Sequence, residues 1–444
     1  MTSRSASPWW FVTLLSLAAV LSIIDRGIIN LVVDPLRAEL GLSEVQVGAL
    51  QGLAFGMIYA VGGLLLGMWV DRGNRRNLVI FGISVWSLAT VAAGLARGFG
   101  EMFAARLIVG LGEAALAPAA ISLIADLFPP HRRARPTGVF MAAQGVAFGI
   151  AISLTGMVIA AAAGNQFAVI GLPATLSPWR ITFVLCGAAG FVLVLALATC
   201  REPARNSRDG APDVRAQARA ALRHGRDRWR FLLPLYLGFA VCFMAVYGAA
   251  GWNPTMLMRG FALTPSDLSA TLGPLMVVFA AAGPLIGGAI IDPIVRRGGD
   301  RARLKLVAAV TLLAIPSGLA TLAPSSAIAI GLVASGSAIY PFVGLGVLTC
   351  LQSQLPADMR GLGVAVTGLL NTFIGAIGGP LLIAWITERL LADTARVGES
   401  ISFLVVPCLL LASTLFMVAA RALPAEGPGE VPTGRVDGVR AGER

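Results

Sequence analysis

Apolar runs alternate with short polar stretches along almost the entire chain. They fall at residues 9–33, 47–70, 78–97, 101–127, 137–163, 179–200, 229–258, 267–291, 304–323, 325–354, 361–386 and 400–422. A helix needs about 20 apolar residues to cross the hydrocarbon of a bilayer. The pattern therefore predicts an all-α polytopic membrane protein with twelve transmembrane helices. The first run is too long for a signal-peptide core and is expected to be retained as a span. Composition points the same way: 57% of residues are hydrophobic, 13% are charged, and the mean hydropathy is +0.80. Soluble globular domains do not have such a composition.

The formal charge of +11 would suggest a nucleic-acid partner only if it formed a patch, and it does not. With the amino terminus in the cytoplasm, the inner segments hold 26 of the 34 Arg and Lys, the outer loops hold six, and Arg26 and Arg106 lie inside apolar runs. That asymmetry predicts a multi-pass protein of the cell inner membrane with both termini cytoplasmic, in contact with membrane lipids and without nucleic acid. Cys186, Cys200, Cys242, Cys350 and Cys408 have no C-x-x-C spacing and sit in or beside apolar runs. Neither a disulfide framework nor a metal site is implied, no cofactor is expected, and a monomer is.

The longest inner loop divides the runs into two sets of six. The expected organisation is an amino-terminal bundle over 1–200, a cytoplasmic linker over 201–228, a carboxy-terminal bundle over 229–423 and a disordered cytoplasmic tail over 424–444. Arg215, Arg219 and Arg223 in the linker recur at helical spacing, as a lipid-facing basic strip or as a solvated connector that sets topology. The two halves echo each other. After the second run the chain reads Gly67-Met-Trp-Val-Asp71-Arg72-Gly-Asn-Arg75-Arg76, and after the eighth Gly288-Ala-Ile-Ile-Asp292-Pro-Ile-Val-Arg296-Arg297, an offset of 221 residues. Duplicated six-helix units are a common transporter build, with substrate held between them.

Four charges lie deep in the apolar runs: Asp25, Arg26, Arg106 and Glu113. Each costs at least about 2.5 kcal/mol on insertion scales, and such residues face a bundle interior or a cavity. Arg106 and Glu113 are seven apart, nearly on one helical face. The positions 221 residues later are Val246, Tyr247, Ala327 and Ala334, so ion coupling is expected in the first half. The second half would offer an apolar wall with Tyr247, Asn253, Tyr340 and Asn371 as polar points, each equally suited to a helix–helix hydrogen bond. Gln51 near the outer end of the second run is similarly ambiguous. Glycines at four-residue spacing (Gly48, Gly52 and Gly56; Gly145 and Gly149; Gly283 and Gly287; Gly375 and Gly379) suit either ordinary close packing or sliding faces between the halves.

An enzyme is not expected, because His131 and His224 fall in inner loops and no nucleophile, base and acid converge. The Gly67 to Arg76 segment and the two-times-six layout resemble the major facilitator superfamily. Within it, Asp25-Arg26, the stretch 36–43, Gly110-Leu-Gly-Glu113-Ala-Ala and Ala125-Asp126-Leu-Phe-Pro-Pro130 resemble the bacterial Spinster-like family. Organic-anion symporters of the superfamily also carry an aspartate–arginine pair in the first span. The resemblance implies alternating access and proton-linked movement of a lysophospholipid or sphingoid-type amphiphile, with a small organic anion as the alternative substrate. The second signature copy has Pro293 where Arg72 stands, which implies a weaker latch at Asp292.

Three expectations about roles follow. Asp126, at the carboxy-terminal end of the fourth run, should pair with Arg72 or Arg75, and Asp71 should face the start of the eleventh run near Gly361; with Gly67 and Arg76 these form a cytoplasmic latch. Arg26 should be the main anion contact, because its fork matches carboxylate or phosphate, with Arg106 as second contact or as partner of Glu113. Substrate bound at Arg26 should loosen its hold on Asp25, which would take up a proton, with Glu113 coupled to it. On the residues alone, both acids could instead stay ionised and only neutralise the arginines.

Overall fold

The computed structural model describes residues 7–70, 73–170, 175–205, 223–356 and 359–424, and among them it is helical with no strand. Eleven helical segments are long and apolar enough to cross a membrane. One of them, Pro265–Gly318, has 54 residues, about 80 Å at 1.5 Å per residue against a hydrocarbon slab of about 30 Å. It reverses at Gly298 and Gly299, and Gly299 takes φ 61° and ψ −163°, a region open essentially to glycine alone. The segment is thus two crossings, the eighth and ninth of twelve.

The other spans run Pro8–Leu31, a second span made of Glu44–Gly48, Ala49–Leu53 and Ala54–Val70, then Arg75–Gly94, Phe99–Leu127, Ala134–Ala163, Pro178–Ala198, Trp229–Phe261, Ser326–Gln354, Arg360–Leu390 and Val397–Arg421. Pro8 and Pro178 occupy first-turn positions, where the missing N–H costs nothing. The chain between the first and second spans forms a short helix, Val33–Leu40, stopped by Gly41 in the left-handed region at φ 63°. Ser43 and Gln46 then close a capping box at the start of the second span. π-helical turns occur at Ala49–Leu53 in the second span and at Asn371–Ile377 and Ile386–Leu390 in the eleventh. The tail after residue 424, most of the linker with Arg215 and Arg219, and Asp71 and Arg72 lie outside the described residues.

The first six spans pack as one bundle and the last six as another. The two meet where the second span lies against the eleventh and the fifth against the eighth. The first-half glycines make this seam. A Cβ on Gly48 would stand 2.8 Å from the Ala384 Cβ, one on Gly56 2.7 Å from Ile377, and one on Gly149 2.6 Å from the Gly273 carbonyl. The second-half glycines at four-residue spacing pack inside their own bundle instead, Gly283 on Ala338, Gly287 on Phe342, Gly375 on Phe243 and Gly379 on Gly248, whereas Gly251 and Gly273 meet the first half. Gly63 and Gly145, nearer the inner end, face open space.

Taking inner and outer ends from the arginine asymmetry, the polar ties between bundles lie at the outer end. Pro254 has no N–H to give the Ala250 carbonyl one turn earlier; that oxygen accepts from Asn30 Nδ2 at 3.3 Å, and Gln51 Nε2 donates to Asn30 Oδ1 at 3.2 Å and to the Gly251 carbonyl at 2.9 Å. Further out, Arg259 of the seventh span reaches Asp34 at 2.6 Å and Glu44 at 2.8 Å, and Arg37 holds the same Glu44 oxygen at 2.8 Å. Glu388 accepts from the Val45 N–H at 2.8 Å. Among the described residues no hydrogen bond or ion pair joins the bundles at the inner end, so their described polar ties all lie at the outer end.

Arg259→Ala should release the outer end without unfolding the amino-terminal bundle, because buried Glu44 keeps Arg37 as a partner and the exposed Asp34 is left to water. Losing the charged hydrogen bonds to Asp34 and Glu44 should shift the population by about 10- to 100-fold. Alkylation of a single cysteine placed at Ala250 would report it, and unchanged labelling would count against an outer tie.

Candidate substrate and ion site

The four intramembrane charges meet between the first and fourth spans, and each acid has an arginine from the other helix. Asp25 Oδ1 accepts from Arg106 Nη1 at 2.6 Å, and its other oxygen accepts from the Thr90 hydroxyl of the third span. Glu113 Oε2 lies 3.0 Å from Arg26 Nε and accepts from the Ser22 hydroxyl at 2.6 Å, while Arg26 Nη2 donates to the Ser22 oxygen at 2.8 Å. The set is neutral when ionised, which is what makes burial tolerable.

This pairing corrects the neighbour-to-neighbour reading of the sequence, in which Arg26 held Asp25 and Arg106 held Glu113. Consecutive helix residues diverge by about 100° and do not face each other, and residues seven apart are separated by about 10 Å along the axis. Only a second helix can supply a partner at contact distance, and the fourth span presents its arginine to Asp25 and its glutamate to Arg26.

The two pairs differ in access. Asp25, Arg106 and Glu113 are at most 2% exposed, whereas the Arg26 side chain is 34% exposed. Arg26 alone of the four therefore presents charge to accessible space. Its guanidinium carbon lies 4.6 Å from the centre of the Phe55 ring and 5.7 Å from that of Tyr59. Sequence reasoning passed over these rings; the available signal was two aromatics one helical turn apart in the span facing Asp25-Arg26. Behind the pairs, Arg106 Nε and Nη2 and Glu113 Oε1 are buried without a partner among the described residues.

The four polar points of the second half separate. Tyr247 comes within electrostatic reach of Arg26, and its hydroxyl makes no hydrogen bond among the described residues. Asn253 is buried at the seam, its Oδ1 unpartnered, and lines a cavity of about 30 Å³ with Asn30 and Pro254. That volume is enough for about one water molecule. Tyr340 turns to its own bundle, with its hydroxyl 3.3 Å from Ser317 Oγ. Asn371 opens the π-helical turn of the eleventh span, its Oδ1 also unpartnered. Gln51 is a cross-bundle tie.

At the inner end, Asp126 pairs with Arg75, one of the two partners expected for it. Arg75 is buried and also holds Glu202 at 2.8 Å. Arg76 caps the sixth span, donating to the Ala198 carbonyl at 2.6 Å, and its backbone N–H meets Glu202. Gly67 lies in the helix that leads to this cluster. The contact expected between Asp71 and the eleventh span falls outside the described residues. Asp292 is exposed and makes no ion pair among the described residues. The second half builds its inner anchor from Asp300 instead, held by Arg303 at 2.6 Å, Ser353 at 2.5 Å and Gln354 at 2.7 Å.

A model of the Major Facilitator Superfamily matches residues 15–380. Among solved structures, a bacterial homologue of the human lysosomal transporter Spinster in an inward-facing, unoccupied conformation superposes with a TM-score of 0.77 at 25% identity, over 94% of this chain and 97% of that one. Among sequences, an MFS-type efflux pump of Mycolicibacterium smegmatis is 25% identical over 415 residues, covering 93% of this chain and 92% of its own. A probable galactarate/D-glucarate transporter of Bacillus subtilis is 25% identical over 417 residues, 87% of each. The family match over most of the chain and the Spinster-like architecture lead to one conclusion: this chain belongs to the Major Facilitator Superfamily, as a polytopic membrane protein for secondary transport by alternating access.

Proposed function

We propose that this transporter moves an anion-headed substrate together with a proton, with Arg26 as the anion contact and Glu113 as the proton acceptor. The observation that carries this reading is the unequal exposure of the two ion pairs. Arg26 is one-third exposed and its Nη1 makes no hydrogen bond among the described residues, while its acid is buried behind it. An anion arriving at Arg26 competes with Glu113 for the guanidinium. Glu113 then takes up a proton, and the interior stays neutral as the cavity closes. The coupling acid is therefore Glu113, where sequence reasoning favoured Asp25; Asp25 is held by Arg106 and Thr90 and acts as a brace that neutralises Arg106.

An amphiphile such as a lysophospholipid or sphingoid-type lipid is the preferred substrate. A single charged point in otherwise apolar surroundings suits a polar head and a hydrocarbon tail. The second reading, a small organic acid, is favoured by relatives whose names specify galactarate, glucarate and hexuronate. Tyr247 would meet the bound head from the opposite bundle, and Asn253 and Asn371 would act at the seam. The arginine asymmetry supports an inner-membrane protein with cytoplasmic termini, two bundles divided by the 201–228 linker, and Arg75, Arg76, Asp126 and the Gly67 to Arg72 segment as a cytoplasmic latch.

Reconstitution in liposomes tests the assignment. Glu113→Gln should abolish uptake of labelled lysophosphatidic acid or D-glucarate driven by a pH gradient while leaving substrate exchange at zero gradient; full gradient-driven flux in this variant would overturn it. The brace is tested by stability. Arg106→Gln strands a buried carboxylate and should cost about 3–5 kcal/mol, whereas the double variant Asp25→Asn with Arg106→Gln should recover most of it in thermal unfolding of the detergent-solubilised protein.

A further inference from the structure

We propose that Phe55 and Tyr59 are positioning residues for Arg26, a two-ring platform that holds the guanidinium flat between Glu113 and the cavity. This rests on the reading of Arg26 and Glu113 as the anion and proton groups. The bonds to Glu113 and Ser22 grip one edge of the guanidinium through Nε and Nη2. Edge bonds leave the plane free to swing, and a side chain that is one-third exposed has cavity space to swing into. The aromatic faces supply the missing restraint. Phe55 is 6% exposed, its ring stacks on Tyr59 with centres 5.0 Å apart and planes 27° apart, and the guanidinium carbon lies over both. Guanidinium stacks on aromatic faces better than ammonium does, and it gains more when partly desolvated.

The platform is also tied to the helix that carries the acid. A Cβ on Gly110 would stand 2.6 Å from the Phe55 carbonyl, so the second and fourth spans touch there backbone to backbone. Gly110 lies one turn from both Arg106 and Glu113. The height of the rings relative to Glu113 is therefore set by a contact that only glycine permits. On the other side of the same turn, Gly56 is pressed against Ile377 of the opposite bundle. Any rocking of the bundles about this seam bears directly on the rings beneath Arg26. Ordinary aromatic packing would need none of this alignment with a charge.

The test reads the protonation of Glu113 without any substrate. In the full-length protein in liposomes, infrared difference spectroscopy follows the protonated carboxyl band that Glu113→Gln removes. Phe55→Leu and Tyr59→Leu keep apolar bulk but lose the ring. Arg26 then spends less time on Glu113, the carboxylate loses its cation, and the band should appear at higher pH, by about 3- to 30-fold in proton affinity. Tyr59→Phe keeps the ring and should leave the midpoint in place. In an Arg26→Ala background, Phe55→Leu should add no further shift. An unmoved midpoint in both leucine variants, or an equal shift with and without Arg26, would reduce the rings to packing and overturn the proposal. If the parent protein shows no Glu113 band, the proton assignment fails by itself, and the platform is decided by affinity for labelled lysophosphatidic acid or D-glucarate. The leucine variants should then bind about 3- to 30-fold more weakly with Tyr59→Phe unaffected; equal affinity in all three would overturn it.

Discussion

A charge placed in hydrocarbon needs a counter-charge close enough to replace the water it has lost, and two neighbours on one helix cannot serve each other in this way. The first and fourth spans answer this by exchanging partners, Asp25 with Arg106 and Arg26 with Glu113. Much of the amino-terminal bundle follows from that exchange. The two helices must stay in register, Thr90 of the third span must come close enough to satisfy the second Asp25 oxygen, and Gly110 must let the second span approach. The site is thus asymmetric within itself, one pair sealed and one pair facing space, before any ligand is considered.

The carboxy-terminal bundle is organised around a different need. Among the described residues its ion pairs lie at span ends and none lies deep in a span, so its contribution is shape: an apolar wall, a tyrosine opposite Arg26, and carbonyls offered at the outer end. The seam reflects this division. The first half contributes glycines and amide donors, and the second half contributes backbone oxygens and small side chains. An interface made of close backbone contacts and a few polar ties can part along its length without stranding a buried carboxylate, because Glu44 keeps Arg37.

The twelve spans were legible in the sequence because bilayer thickness imposes one length on every crossing, and the four intramembrane charges were legible because no other charge lies deep in a run. What the sequence could not carry was rotation. Which acid meets which arginine depends on how two helices are turned about their axes, and no spacing along the chain records that. Phe55 and Tyr59 were invisible for a related reason: an aromatic in an apolar helix is unremarked until the charge above it is known. Arg259 meets Asp34 across 225 positions of sequence, with no local signal. The repeat itself misled at Asp292, where the matching letters sit on an exposed face and Asp300, eight residues on, makes the ion pair. Asp126 was readable because an acid at a helix carboxy-terminus needs a cation nearby, and Arg75 was one of two on offer.

The proline at position 254 carries a consequence of its own. Because it never supplies an N–H, the Ala250 carbonyl lacks the donor that an α-helix would give it one turn on. With the outer end shut, Asn30 satisfies it. With the outer end parted, water must reach it, at the depth of the bundle seam, or the oxygen stays bare at a cost of a few kcal/mol. Opening is then a wetting event as much as a tilting of helices. The barrier to it depends on how readily a narrow apolar cleft admits its first few water molecules, and the small cavity beside Asn253 lies where that hydration would begin.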